Sequence, residues 1–391
     1  MKKRILILCL ISIVNTLLFA QTKTADNEFS FVILGDSQFH SPEEFNEIVE
    51  EVALMNPSLV IQVGDLIHGR TEDAGELAAQ WHRFKGQLSP LMNHEIAYFP
   101  VPGNHDVEVR NGDNTPMVEA YQKEWGKDLY YSFDYKNAHF TVLNSIDPEG
   151  YQISEQQLAW LEKDLEAAKE QDHRLVFCHH PMYEFDNFDV IHTILLKHQV
   201  TAVFYGHRHH FESMVRDGIP YVMTNATGRG IRIEEAGSFQ HFLHATVRDD
   251  DFSFCIVKEK SVLSPAAFAP EDNRLYHLNR YLFPQNIVSP DTLARTDSGY
   301  VFTLRLNNPT FQDVRAYVQW ESPNRRWKIY PQSAAQVDME AESTNNSLNF
   351  EFVRTDQSII EVWPKCIVSI KFLTSNGSWV DTEYELKIEE P

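Results

Sequence analysis

Short apolar runs alternate with segments of helical period over the first two thirds of the chain. Phe29 to Leu34 is apolar and ends in Gly35-Asp36, and Leu59 to Val63 ends in Gly64-Asp65. Ile96 to Val101 is a third such run, leading into Gly103-Asn104-His105-Asp106. Between the first two, Ser41-Pro42-Glu43-Glu44 has the order of a helix start, with Ser as N-cap and Pro in the first turn. A long amphipathic segment around Glu76 to Leu91 separates the second and third. Strands alternating with helices predict parallel βαβ units with covered faces, an α/β class.

Tyr130 to Phe133 and His139 to Leu143, around Lys136-Asn137, read as a hairpin. Ser154 to Lys169 reads as a helix, with Ser154 and Gln157 as a capping box and Leu158, Leu161 and Leu165 on one face. Leu175 to Cys178 and Ala202 to Tyr205 are two more buried strands, followed by His179-His180-Pro181 and Gly206-His207-Arg208-His209-His210. Each run thus ends in polar, ligand-type residues. In α/β sheets the crevice at the carboxyl ends of the strands is where ligands bind.

The pattern changes near residue 260. Sixteen of the seventeen histidines fall at or before His244, and only His277 lies beyond. Alternating runs follow: Tyr300 to Leu306, Val314 to Trp320, Leu348 to Val353, Ile367 to Phe372 and Tyr384 to Ile388. They predict a smaller all-β sandwich. The expected division is a catalytic domain over 27–260, a linker over 261–275 and a C-terminal β-sandwich domain over 276–391.

The first twenty residues differ from both parts. Lys2, Lys3 and Arg4 precede an apolar stretch from Ile5 to Leu18, and Phe19-Ala20 precedes polar residues. That order is a secretory signal over 1–20, cleaved after Ala20, which implies a secreted or periplasmic protein. An uncleaved anchor is the alternative, but the stretch is short and polar in its middle for ~30 Å of hydrocarbon. No other segment suits a membrane span. Beyond the signal, Cys178, Cys255 and Cys366 remain, which is no disulfide framework, although a Cys255–Cys366 pair stays open.

The formal charge of −22 argues against a protein that coats nucleic acid. It leaves a small phosphorylated substrate open, because bound divalent cations reverse the field of an acidic site. Imidazole, carboxylate and amide oxygen at the ends of several strands suit Zn, Fe or Mn, with Mg for the harder positions. Two cations about 3.5–4 Å apart would neutralise a phosphate ester and supply hydroxide near neutrality. Asp65 is the natural carboxylate to bridge them.

The order Asp36, Gly64-Asp65, Gly103-Asn104-His105-Asp106, His179-His180-Pro181, Gly206-His207-Arg208-His209 resembles the calcineurin-like metallophosphoesterases. That superfamily includes purple acid phosphatases and cyclic-nucleotide phosphodiesterases. The resemblance spans about residues 29 to 258, and Tyr130 to Tyr135 with Leu158 to Leu161 resemble its secreted, purple-acid-phosphatase-like branch. It implies a two-sheet β-sandwich core flanked by helices in four layers, α/β/β/α, and a phosphoric ester hydrolase using two divalent metal ions and metal-bound hydroxide. Carried over by position, Asp36 and His209 would hold the first metal and Asp65 would bridge. Asn104, His179 and His207 would hold the second. His105 would protonate the leaving oxygen and Asp106 would orient its imidazole. Arg70, Arg229 and His210 are candidates to grip phosphate oxygens, whereas Arg208 reads better as a structural or solvated residue.

Two departures matter. The family has histidine where this chain has Gln38, a harder and weaker ligand, which favours Mn, Mg or Ca at that metal or a hydrogen bond to its water. Purple acid phosphatases carry tyrosine where this chain has His68, so the protein should not be purple. A nucleotide or nucleotide-sugar pyrophosphatase is an alternative reading. A non-catalytic envelope or glycan-binding protein is another; Trp320, Trp327, Trp363 and Trp379 of the C-terminal domain could offer it a stacking face, but core packing is the better reading of them.

Overall fold

The computed structural model describes residues 27–38, 42–109, 112–147, 151–227, 237–258, 261–269, 271–272, 288–297, 299–308, 310, 312–321, 327–331, 335–341, 343, 346–354, 363–374 and 377–386. The signal over 1–20, Arg229 and His277 lie outside them.

Twelve strands form two sheets of six. They are β1 (Phe29–Leu34), β2 (Leu59–Gln62), β3 (Ala97–Pro100), β4 (Tyr131–Tyr135), β5 (Ala138–Val142) and β6 (His173–Phe177), then β7 (Ala202–Tyr205), β8 (Glu212–Arg216), β9 (Ile219–Met223), β10 (Phe242–Arg248), β11 (Asp251–Lys258) and β12 (Ser261–Leu263). One sheet runs β12-β11-β10-β1-β2-β3 and the other β4-β5-β6-β7-β9-β8. The apolar runs read from the sequence are the parallel interiors, β1-β2-β3 and β5-β6-β7-β9. The sheets are nevertheless mixed rather than wholly parallel. The hairpins β8-β9 and β10-β11-β12 add antiparallel strands, with β10 returning beside β1. Ser261–Leu263, in the stretch expected as a linker, is therefore an edge strand of the first sheet.

Alternation along each strand makes the layers. Phe31, Ile33, Leu59 and Ile61 of the first sheet share one buried cluster with Phe140, Val142, Leu175 and Phe204 of the second. The other faces carry helices. Val32, Leu34 and Val60 pack on α1 (Pro42–Met55) and α2 (Ala74–Gln87), through Phe45, Val49, Val52, Trp81 and Phe84. Three shorter helices follow: α3 (Ser89–Asn93), α4 (Asn104–Val107) and α5 (Thr115–Trp125). Val176, Val203 and Tyr205 pack on α6 (Glu155–Ala167) and α7 (Phe188–Lys197). This is the expected α/β/β/α order. Each fully buried Leu, Ile or Phe contributes roughly 1.5–3 kcal/mol.

Ser154 caps α6 as expected, accepting from the Gln157 amide at 3.2 Å. The Gln157 side chain does not reach back to close the box. It binds the backbone of Asn144 through both Oε1 and Nε2 and so fixes the loop after β5.

Two four-stranded antiparallel sheets form the second, all-β part. One comprises Val288–Arg295, Gly299–Leu306, Asn346–Arg354 and Trp327–Tyr330; the other Ala335–Met339, Val314–Glu321, Lys365–Leu373 and Trp379–Leu386. Phe302, Leu304 and Phe350 of the first sheet share one buried cluster with Ala316, Val318, Val368 and Ile370 of the second. The tryptophans do not make one face: Trp327 is buried, Trp320 and Trp363 pack against the core, and Trp379 is exposed. Among the described residues Cys178, Cys255 and Cys366 are all free, so Cys255 and Cys366 do not pair.

His139 of β5 is buried between Asp134 (Nδ1 to Oδ1, 2.6 Å) and Asp164 (Nε2 to Oδ2, 2.9 Å). Burial alone would lower its pKa, but hydrogen bonds and charge from Asp164 and Asp134 outweigh burial and raise it. The protonated ring therefore stabilises the fold fully below the unfolded value, about 6.5, and that contribution is lost as pH rises through the folded value. His139→Gln should cost about 1–3 kcal/mol near pH 5.5 and progressively less in alkali, read as the shift in urea midpoint. An equal shift at both pH values would contradict this.

Candidate active site

Five loops at the carboxyl ends of parallel strands meet where the two sheets meet. The first sheet sends Asp36–Gln38 after β1, Gly64–Arg70 after β2 and Gly103–Asp106 after β3; the second sends His179 and His180 after β6 and His207–His210 after β7. Backbone bonds hold them in register, from Ser37 N to Asp65 O at 2.9 Å and from Gly206 N to His179 O at 3.0 Å. Gly64 has φ +93°, and a Cβ there would lie 2.6 Å from His179 Nδ1. A Cβ on Gly103 would lie 2.1 Å from the Asp65 amide nitrogen, so both loops approach as only glycine permits. Asp65, His207 and His209 themselves sit at φ 52°, 74° and 54°. Left-handed backbone at non-glycine residues is strained and concentrates at functional sites.

His179 is wholly buried, and its Nδ1 lies 2.8 Å from the Val63 carbonyl. Nδ1 is then the donor to that carbonyl, and Nε2 is the nitrogen that faces the cleft. Around Nε2 stand Asn104 Oδ1 at 3.1 Å, Asp65 Oδ1 at 3.3 Å and His207 Nδ1 at 3.1 Å. Acceptors crowded this closely repel unless positive charge sits among them. Burial alone would depress the His179 pKa, but Asp65 and Asp36 outweigh burial and push it up to about 9. Burial likewise works to raise the Asp65 pKa, but the imidazoles of His179, His105 and His207 hold its carboxylate well below the usual range. The donors, carboxylate and imidazole with an amide oxygen, are those of a divalent transition-metal site. The Val63 carbonyl makes the kind of outer contact that would fix such an imidazole as a ligand.

A second group adjoins it. His209 Nε2 lies 2.9 Å from Asp36 Oδ2, and Asp36 Oδ1 accepts from the His207 amide at 3.1 Å. Ligand atoms of Asp36, Asp65 and His179 lie within 4.8 Å of one another, so the groups share Asp65. Gln38 is buried beside them, with Nε2 3.2 Å from Asp65 Oδ2 and 3.4 Å from His209 Nε2. Its Oε1 is buried without a hydrogen-bond partner. Rotating the amide would turn that oxygen toward Asp65 and His209, where a cation would take it. The loop has a brace that no motif announced: Gln62 donates to Gly35 O (2.9 Å) and Ser37 Oγ (2.8 Å) and accepts from Tyr98 Oη (2.6 Å). A glutamine in a wholly buried strand was the available signal.

His105 opens α4 beside Asn104, its amide donating to Asp65 Oδ1 at 2.8 Å. Its imidazole is held by Nδ1, 2.6 Å from the His68 carbonyl. Burial is the main cause of its depressed pKa. Asp106, expected to orient this ring, is engaged elsewhere. Its Oδ1 accepts from Leu66 N (2.8 Å) and Ile67 N (3.2 Å), and its Oδ2 from Gly103 N (2.9 Å). It clamps the β2 and β3 loops together, and the carbonyl three residues beyond Asp65 takes the orienting part. Burial and the Asp65 charge push the Asp106 pKa well up, against the pull of these amides.

Of the candidates for phosphate, Arg70 is half-buried and close enough to lower the pKa of His105 and His180. His210 is not at the cleft: it is wholly buried, with Nδ1 3.1 Å from Arg208 O and Nε2 3.5 Å from Glu212. With His209 turned toward Asp36, the His210 ring lies on the other side, against Arg208 O and Glu212. Arg208 is structural, its Nε and Nη2 forked onto Glu184. Sequence reading passed over Tyr151, whose hydroxyl lies 3.3 Å from His207 Nε2, and Ser145, 2.9 Å from His180 Nδ1.

A family match and acid phosphatase relatives support a phosphoester hydrolase. The family model for calcineurin-like phosphoesterases matches residues 29–211. Tartrate-resistant acid phosphatase type 5 of Rattus norvegicus is 25% identical over 249 residues, covering 54% of this chain and 75% of that protein. Purple acid phosphatase 21 of Arabidopsis thaliana is 26% identical over 152 residues, covering 34% of this chain and 34% of that protein. A solved dimetal phosphatase of Danio rerio aligns over 60% of this chain and 98% of its own at 17% identity, with a TM-score of 0.46. The chain carries a calcineurin-like phosphoesterase domain, with purple acid phosphatases among its relatives. Among the described residues no helix is long and apolar enough to cross a membrane.

Proposed function

We propose that the protein is an exported hydrolase of phosphomonoesters or phosphodiesters served by two divalent cations drawn from Mn, Zn, Fe and Mg. Asp36, Asp65 and His209 would hold one, with Gln38 beside it; Asp65, Asn104, His179 and His207 would hold the other. The observation that carries this reading is the convergence of acceptor atoms from both sheets on His179 Nε2 and the Asp65 carboxylate. Cations bound there would neutralise phosphoryl charge and acidify water. The chain's own groups do the rest. His105, steadied by the His68 carbonyl, would pass a proton to the leaving oxygen, and Arg70 would face phosphoryl oxygens.

Export rests on the leader-like first twenty residues. The division into domains follows the pattern change near residue 260, with the pairing of Ser261–Leu263 to β11 moving the catalytic boundary beyond Leu263. Assay of nitrophenyl phosphate mono- and diesters with Mn, Zn or Fe tests the activity: turnover of at least one is expected, and turnover of none would contradict the reading.

Gln38→His should tighten binding at the Asp36 site by about tenfold or more, an imidazole replacing an amide. Titration with Zn or Mn reads it directly. An unchanged isotherm would remove Gln38 from the site.

A further inference from the structure

A groove of ≈ 220 Å³ opens beside the cleft, between the Gln38 loop, the Leu66–His68 segment and one face of α2. The helix presents Glu76, Gln80, Arg83 and Gln87 to it, at the spacing that puts residues on one face. Ile67 and Phe84, both buried, make an apolar floor, and Gln38 and His68 close the end nearest the cleft. This end is chemically special. Gln38 touches Asp65 and His209, while the carbonyl of His68 anchors the His105 ring.

We infer that this groove receives the leaving group of the ester, and that Arg83 selects leaving groups carrying a negative charge beyond a flat apolar part. The inference rests on the phosphoesterase reading above, in which His105 serves the leaving oxygen. A leaving group on that side runs past His68 into the groove. The groove's carboxylate, Glu76, is held in place by Thr71 Oγ1 at 3.0 Å and Gln80 Nε2 at 3.3 Å. Gln80 Oε1 is likewise taken, by the Gly69 amide at 2.7 Å. Arg83 is exposed, and among the described residues it has no ion pair, so its guanidinium is the uncommitted charge on the groove. An apolar floor with one such cation fits an aryl or heterocyclic group bearing a carboxylate or a second phosphate.

The test compares phenyl and 3-carboxyphenyl phosphates, each as monoester and as methyl diester, on the full-length protein with its cations. The ratio of kcat/KM for the carboxylated over the plain ester is followed across variants, which cancels intrinsic reactivity. Arg83→Ala should lower that ratio about threefold to fivefold, as expected for an exposed charge contact. Arg83→Glu should lower it about tenfold or more, and salt should shrink the wild-type ratio. The plain ester should change less than about twofold in either variant. A ratio unmoved by both substitutions, or equal losses on both esters, overturns the assignment while leaving the phosphoesterase reading intact. No turnover of any of the four esters by the unsubstituted protein would defeat that reading itself.

Discussion

Asn104→Ala and His179→Ala should each cut turnover by about 10³-fold or more and remove about one cation per chain, since a cation contributes several kcal/mol to such a transition state. Both side chains are buried and converge on one point, with Asn104 Oδ1 3.1 Å from His179 Nε2. Neither removal opens the core, because both groups line the meeting of loops rather than the packed clusters. The Gly103 and Asp106 contacts that shape the Asn104 loop survive in Asn104→Ala. Elemental analysis beside kinetics checks the pairing of losses. A variant with full metal content and full activity would place its residue outside the site.

His105→Ala should behave differently. Its backbone amide, not its ring, binds Asp65, so alanine keeps that bond and metal content should not change. The expected loss is in kcat, ~10²–10⁴-fold, the usual worth of a positioned proton donor. The loss should be greatest for alkyl esters, whose leaving oxygens need the proton most, and smallest for nitrophenyl esters. Metal loss in this variant, or equal losses for both esters, would show that the ring does not serve the leaving oxygen.

Much of the site was legible because apolar runs are short and their ends are sharply polar. Leu59 to Val63 followed by Gly64-Asp65 reads as a buried strand with a carboxylate at its end, weak alone but telling beside four other such ends, and Asp65 lies buried just past that strand. Harder to read were the antiparallel additions. β11 alternates plainly over Asp251–Lys258, yet its partner β10 carries a near-continuous apolar start, and pairing across a sheet leaves no local mark. Asp106 misled for a physical reason. A carboxylate beside a histidine suggests an orienting pair, but three residues after Gly103 it is equally placed to accept the Gly103 amide, and local geometry won. His210 failed similarly, since sequence adjacency to His209 says nothing of which way a side chain turns. The left-handed backbone at Asp65, His207 and His209 had no signal at all, because none of them is glycine.

All of this depends on two cations being gathered by loops distant in the chain. An anomalous-scattering map of crystals grown with Mn or Zn tests it most directly. Two peaks are expected on either side of the Asp65 carboxylate, one bounded by Asp36 and His209, the other by Asn104, His179 and His207. Peaks elsewhere, or none at Asp65, would contradict it.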